Sequence, residues 1–192
     1  MSYSADEKRA LLILARASIS RALGEELPHP AGLDSAHVKE PRGVFVTLRC
    51  EGELRGCIGF VDPRLPLVEA VREVAVKAAT EDPRFAPVSR SELGTVDLEI
   101  SVLSPLIPAQ SVEDIEVGTH GVMIDAGYAR GLLLPHVATE FGWNREEFLN
   151  HVCLKAGLQA TAWKHPGLTI HLFTTETFSD KDFATRHEHA GS

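Results

Sequence analysis

The chain has 192 residues, of which 44% are hydrophobic and 24% are charged, a composition typical of one soluble globular domain with its own core. Its 27 acidic residues outnumber its 19 basic ones, and the net charge of −8 disfavours nucleic-acid binding. The three cysteines form no CxxC pair, which argues against a disulfide framework or a zinc ribbon and favours a cytoplasmic protein. No apolar run approaches the roughly 20 residues that span a bilayer, so no membrane association is predicted.

The first predicted element is an amphipathic helix over residues 5–23. Ser4 and Glu7 have the spacing of a capping box, and apolar residues then recur at near-helical spacing. Gly24 follows the last of them and favours a helix stop there.

A β-hairpin is predicted next, with strands at residues 43–50 and 54–60. The first strand is rich in β-branched and aromatic residues, and the second contains the stretch LRGCIG. The period of two places Arg55, Cys57 and Gly59 on one face of the second strand and Gly56 on the other.

The register of this hairpin decides which side chains meet. If Cys50 pairs with Leu54 across a three-residue loop, Thr47 lies opposite Cys57. A slip of one residue would change these partners, so the pairing is a working hypothesis.

The remaining predicted elements alternate between helices and strands. In chain order they are a helix at 66–79, a strand at 95–103, a hairpin of 119–124 and 129–134, a short helix at 135–141, a helix at 145–156 and a strand at 168–173. Residues 181–192 form a polar tail that we expect to be frayed. This order predicts an α+β fold of mostly antiparallel sheet with flanking helices.

Cys57 is the first candidate for chemistry. A thiol reacts as the thiolate, which a nearby positive charge favours, and Arg55 lies on the same strand face. Gly56 and Gly59 remove side-chain bulk, so a substrate or another backbone can come close. The alternative is an inert, buried cysteine in a packed hairpin whose glycines serve contacts within the chain.

Three further residues could complete such a site. His120 could act as a base for Cys57, and Glu99, on the polar face of its strand, could orient that histidine. Arg84 in the stretch DPRF either pairs with Asp82 to order a loop or binds a carboxylate or phosphate group.

The sequence carries no strong signature for a metal or a nucleotide. It contains no HExxH motif and no GxGxxG or GxxxxGK loop, so no metal and no cofactor are predicted. His187 and His189 lie in the polar tail, where chance explains them as well as a ligand pair does.

Several motifs occur in an order that resembles the AMMECR domain family. They are LRGCIG, DPRF, EISVLS, GTHGVMI and LLLPHVATEFGW, and the likeness runs from about Gly43 to Phe178. Within the family the chain is similar to the bacterial branch, the AmmeMemoRadiSam system A proteins. His136 departs from the glutamine or glutamate that we expect in many relatives.

The resemblance implies a single domain over residues 1–180 with two unequal lobes, the larger built from both chain ends. It also implies association with a Memo-like protein and a radical-SAM protein, but no established reaction. The family signature falls on Leu54–Gly59 in this sequence, and its other recurrent motifs include Asp82, Arg84, Phe85, Glu99, His120 and Gly121.

Two functions from different classes remain open. In the first, an enzyme acts on a small molecule or peptide, with Cys57 as nucleophile or thiol ligand. Arg55 lowers the pKa of that thiol or holds an anionic substrate, and His120 moves protons. In the second, a non-catalytic adaptor uses the glycine-edged hairpin to receive a partner strand. Nucleic-acid binding is the weakest alternative, because the sequence shows no exposed stacking pattern of aromatic residues.

Overall fold

The computed structural model describes residues 2–28 and 30–183, which form two compact units. Unit 1 contains the described residues up to Val102 and those from Glu176 onward, and unit 2 comprises Leu103–Thr175. The α+β fold with antiparallel sheets and flanking helices is confirmed. A single domain over 1–180 stays a prediction, and both His187 and His189 lie outside the described residues.

Six helices and eight strands make up the described part of the chain. The helices are α1 (Ala5–Ala22), α2 (Ala36–Lys39), α3 (Leu67–Thr80), α4 (Arg90–Leu93), α5 (Pro135–Glu140) and α6 (Arg145–Lys155). The strands are β1 (Val44–Cys50), β2 (Glu53–Phe60), β3 (Val96–Leu103), β4 (Ile107–Pro108), β5 (Gly121–Asp125), β6 (Arg130–Leu133), β7 (Thr169–Phe173) and β8 (Thr175–Ser179). Short 3-10 helices lie at Val112–Asp114, Ala162–Lys164 and Asp180–Asp182.

Unit 1 is a four-stranded sheet in the order β2-β1-β3-β8, with its core between the sheet and helices α1 and α3. β1 pairs antiparallel with both β2 and β3. Alternate residues of β1 and β3 point into this core and are fully buried, among them Val46, Leu48, Leu98 and Ile100. The opposite face of the sheet carries the polar residues of the same strands.

The turn of the β1–β2 hairpin differs from the predicted one. Cys50 pairs with Glu53 rather than with Leu54, so the loop has two residues instead of three. Both loop residues have positive φ, 52° at Glu51 and 89° at Gly52, which is the geometry of a primed hairpin turn. The predicted pairing of Cys50 is therefore wrong.

A bulge nevertheless restores the predicted pairing beyond the turn. The register shifts between Leu48 and Arg49, which leaves Arg55 as an additional residue on β2. Thr47 consequently lies opposite Cys57, as the sequence predicted.

Unit 2 is a second four-stranded sheet, in the order β4-β7-β5-β6, covered on one face by α5 and α6. Its core is built from buried residues of β5, β7 and α6, including Val122, Ile124, Phe148, Leu149 and Val152. Strand β8 was not predicted, because Thr175–Ser179 lacks the apolar alternation that marks the other strands. No helix among the described residues is long and apolar enough to cross a membrane.

Candidate functional site

Cys57 lies on β2, the strand at the edge of the unit 1 sheet. The N–H of Cys57 donates to Oδ2 of Asp82 over 2.8 Å, and its carbonyl accepts from Nη2 of Arg84 over 3.4 Å. An edge strand presents alternate backbone groups that have no neighbouring strand to bind. The DPRF loop therefore caps the free backbone of LRGCIG at the cysteine itself.

The Asp82–Arg84 pair holds this loop in place. Nε of Arg84 donates to Oδ1 of Asp82 over 2.9 Å, and Nη2 donates to Oδ2 over 2.7 Å. These bonds hold the pKa of Asp82 well below its usual range, although burial acts in the opposite direction. The Asp82 side chain is 3% exposed and that of Arg84 is 54% exposed, so one side of the guanidinium still faces solvent.

The same tripeptide occurs a second time, at Asp62–Arg64, and shows what is particular to the first. Nη2 of Arg64 and Oδ2 of Asp62 also pair, over 2.8 Å, but their side chains are 77% and 43% exposed. Neither has a hydrogen bond to a strand backbone in the described part of the chain. Either Asp-Pro-Arg stretch can therefore form the ion pair between its own residues. Only the stretch in the DPRF loop lies where that pair can also bind the Cys57 backbone.

The thiol of Cys57 is half-buried and has a hydrogen-bond donor beside it. The Thr47 hydroxyl donates to Sγ of Cys57 over 3.3 Å, across the β1–β2 pair. Asp82, through its hydrogen bond, raises the pKa of Arg84. The contact of Arg84 with Cys57 that the structure shows is the bond from Nη2 to the cysteine carbonyl.

Glu99 extends this row of residues onto the third strand. It pairs with Thr47 in the β1–β3 register, so Cys57, Thr47 and Glu99 lie side by side on the same sheet face. Two strand spacings separate Cys57 from Glu99, about 10 Å. Among the described residues the half-buried Glu99 carboxylate has no hydrogen-bond or ion-pair partner.

Arg55 binds a different segment of unit 1. Its Nε donates to Glu92 over 3.0 Å, and its other nitrogens donate to the carbonyls of Ala86 over 2.8 Å and Pro87 over 3.4 Å. The Ser89 backbone N–H and then Arg55 lower the pKa of Glu92 to about 2. The predicted role of Arg55 beside the thiol stays a prediction, and the structure gives its guanidinium a clamping role.

Both glycines of the predicted site have a packing reason. A Cβ at Gly56 would collide with the carbonyl oxygen of Ala78, because α3 crosses the sheet at that point. A Cβ at Gly59 would collide with the ring of Phe45, which lies over the glycine. Their predicted substrate-binding roles stay predictions.

His120 belongs to unit 2, whereas Cys57 and Glu99 belong to unit 1. Its ring Nδ1 accepts from the backbone N–H of Glu116 over 3.1 Å, and the backbone N–H of His120 donates to the Glu116 carbonyl over 2.9 Å. The ring thus orders the turn before β5. Its predicted role in proton transfer stays a prediction.

Sequence reasoning missed Thr47 as a site residue and the bond between Asp82 and the Cys57 backbone. The predicted hairpin register already placed Thr47 opposite Cys57, so its hydroxyl could have been predicted to contact the thiol. Nothing in the sequence signals that the DPRF loop returns to β2. Within residues 2–28 and 30–183, no three His, Cys, Asp or Glu side chains are grouped to hold a metal ion.

Comparisons with known proteins agree with the motifs. The family model named AMMECR1 matches residues 12–178. A protein of Methanothermobacter thermautotrophicus is 44% identical over 185 residues, which cover 92% of this chain and 96% of that protein. A protein of Thermofilum pendens is 43% identical over 192 residues, covering 91% and 90%.

A solved structure is also similar. The crystal structure of uncharacterized protein PH0010 from Pyrococcus horikoshii superposes with a TM-score of 0.81 at 39% sequence identity. The match covers 88% of this chain and 89% of that chain. The relatives named here are archaeal, and similarity to a bacterial branch stays a prediction.

Proposed function

The chain belongs to the AMMECR1 family, whose molecular function is uncharacterised, and we propose that it uses the Cys57 thiol on a small molecule or peptide. We further propose that it does so together with a Memo-like protein and a radical-SAM protein. The thiol proposal rests on the residues around Cys57, and the partner proposal rests on the family resemblance.

One observation supports the thiol proposal most strongly: an ion pair with a buried carboxylate binds both backbone groups of Cys57. Packing of an edge strand alone does not need a desolvated carboxylate, because burial of a charge is costly unless it is paired. The clamp by Asp82 and Arg84 instead fixes the position of one sulfur atom. Fixed placement of the reacting atom is what nucleophilic catalysis and ligation both require.

The candidate residues have complementary roles in this proposal. The Thr47 hydroxyl and the Arg84 charge stabilise negative charge on sulfur. The solvent-facing side of Arg84 binds an anionic group of the substrate, a carboxylate or a phosphate. Glu99 and His120 are the candidate proton carriers, and Arg55 holds the loop that follows DPRF.

Alkylation by iodoacetamide tests the thiol proposal directly. The alkylation rate is measured at each cysteine by mass spectrometry from about pH 5 to about pH 10, an interval that includes the ordinary thiol pKa of about 8.5. We expect Cys57 to react faster near pH 7 than an unstructured cysteine does, with Cys153, which is fully buried, as the unreactive control. Protection of Cys57 at every pH, or the profile of a free thiol, would contradict the proposal.

A non-catalytic binding module is the second candidate, and the edge position of β2 favours it. Copurification with coexpressed Memo-like and radical-SAM proteins distinguishes the two. In the binding module, Cys57→Ser keeps partner binding and Arg55→Glu weakens it. Loss of binding in the serine variant alone would exclude the module.

A further inference from the structure

Three rings form a continuous stack on unit 2, between the end of α5 and helix α6. Phe141 stacks on Trp143 with ring centroids 4.8 Å apart and planes 15° apart. Trp143 stacks on His151 at 3.7 Å and 7°. This arrangement contradicts the expectation that the aromatic residues show no exposed stacking pattern. The sequence did not indicate it because His151 lies eight positions after Trp143 and joins the stack only through the fold.

The stack reaches from the core of unit 2 to the surface. Trp143 is partly buried and packs against that core, whereas Phe141 is 62% exposed. Leu154 is 53% exposed and lies three residues after His151, so the two are neighbours on one face of α6. We call Phe141, Trp143, His151 and Leu154 the stack surface.

Negative charge lies at the Phe141 end of the stack surface. Glu140 directly precedes Phe141 and has no hydrogen-bond or ion-pair partner in the described part of the chain. Glu147 lies four residues before His151 on α6, and it caps that helix through the N–H of Asn144. The only basic neighbour on α6 within four residues of His151 is Lys155, at the Leu154 end.

We propose that the stack surface binds a protein segment that presents an arginine. The guanidinium stacks on the open face of Phe141 and pairs with Glu140, and an aliphatic neighbour in the same segment covers Leu154. A guanidinium is planar and weakly hydrated, so it stacks on aromatic rings better than an ammonium group does. The carboxylates disfavour nucleic acid, because its phosphates require basic residues around the stacked bases.

The indole N–H signals in a proton–nitrogen NMR spectrum test this inference. The chain has two tryptophans, and Trp163, which donates to Asn150 over 2.8 Å, serves as the internal reference. The probes are acetyl-Arg-Leu-amide and its analogue with neutral citrulline in place of arginine. We expect saturable shifts of Trp143 with the arginine peptide and at least about threefold weaker binding of the citrulline peptide.

Variants locate the binding. Phe141→Ala should abolish the Trp143 shifts, and Glu140→Gln should weaken binding about threefold. Tyr128→Ala, which removes a ring that is 86% exposed elsewhere on unit 2, should leave binding unchanged. Circular dichroism of each variant confirms that it is folded.

Several results would overturn the proposal. Equal binding of the arginine and citrulline peptides would remove the role of charge, and unchanged binding by folded Phe141→Ala would remove the role of the stack. Binding of a single-stranded oligonucleotide but not of the arginine peptide would assign the surface to nucleic acid. Self-association that Phe141→Ala abolishes, with no peptide binding, would assign it to a second copy of the chain.

Discussion

The backbone N–H of Cys57 donates to the carboxylate of Asp82 over 2.8 Å, although 25 positions separate the two residues in the chain. Arg84 completes the contact by binding both that carboxylate and the Cys57 carbonyl. Two short motifs that look independent in the sequence are therefore parts of one clamp. Its strength and its effect on the thiol can be measured separately.

The first prediction concerns the stability of the clamp. Asp82→Asn should lower the free energy of unfolding at pH 6–7 by about 1.5–3 kcal/mol, because a nearly buried carboxylate loses its charge-assisted bonds. The measurement is chemical denaturation of both proteins at the same pH. Asp62→Asn, in the exposed Asp-Pro-Arg, should change stability by less than about 0.5 kcal/mol, and an equal loss in both variants would contradict the clamp.

The second prediction is the pH dependence of that difference. The folded state lowers the pKa of Asp82, so its contribution is complete above the unfolded value of about 3.9 and is lost as pH falls through and below it. The stability gap between wild type and Asp82→Asn should therefore narrow from pH 6 to pH 3. A gap that stays constant or widens over this interval would show that ionised Asp82 is not the stabilising form.

The third prediction separates the two arginines. Arg84→Gln should slow alkylation of Cys57 at pH 7 severalfold, because it removes the positive charge that is bound to the Cys57 carbonyl. Arg55→Gln should leave the alkylation rate near that of wild type and lower stability instead, because it removes bonds to Glu92, Ala86 and Pro87. Slower alkylation in Arg55→Gln, with an unchanged rate in Arg84→Gln, would instead identify Arg55 as the charge that acts on the thiol.

The fourth prediction tests why LRGCIG contains its first glycine. Gly56→Ala should destabilise the fold by about 1–3 kcal/mol, because its Cβ collides with the Ala78 carbonyl on α3. Gly94→Ala is the matched control, since a Cβ there meets no atom within 4 Å and the backbone is helical. A neutral Gly56→Ala would mean that the glycine is not needed for packing.

Local pattern was enough to predict most elements of the fold. The capping-box spacing at Ser4 and the apolar period that follows it gave α1 within one residue of its observed end. Period-two alternation gave β3, whose even-numbered apolar residues face the core of unit 1. These signals succeed because each depends on residues that are close together in the chain.

The site could be predicted only in part, because its decisive contacts join distant positions. Cys57 and the pairing of Asp82 with Arg84 follow from residue type and spacing. The docking of that pair on the Cys57 backbone and the diversion of Arg55 to Glu92 depend on where two loops return. Even the correct pairing of Thr47 with Cys57 depended on a bulge that offset the wrong turn length.

The fifth prediction concerns an ion pair that joins the two chain segments of unit 1. Oδ2 of Asp180 accepts from Nη2 of Arg16 over 2.7 Å and from the N–H of Leu98 over 2.8 Å. Asp180→Ala should lower the free energy of unfolding by about 1.5–3 kcal/mol, since it leaves a half-buried guanidinium and a strand N–H without that acceptor.

Denaturation of Asp34→Ala provides the comparison for this variant. Asp34 pairs with Lys39 over 3.6 Å, but its side chain is fully exposed, so its loss should leave the free energy of unfolding nearly unchanged. The alkylation rate of Cys57 should not change in folded Asp180→Ala, because Asp180 contacts α1 and β3 rather than the DPRF loop. A stability loss no larger than that of Asp34→Ala would show that the C-terminal segment does not hold unit 1 together through this residue.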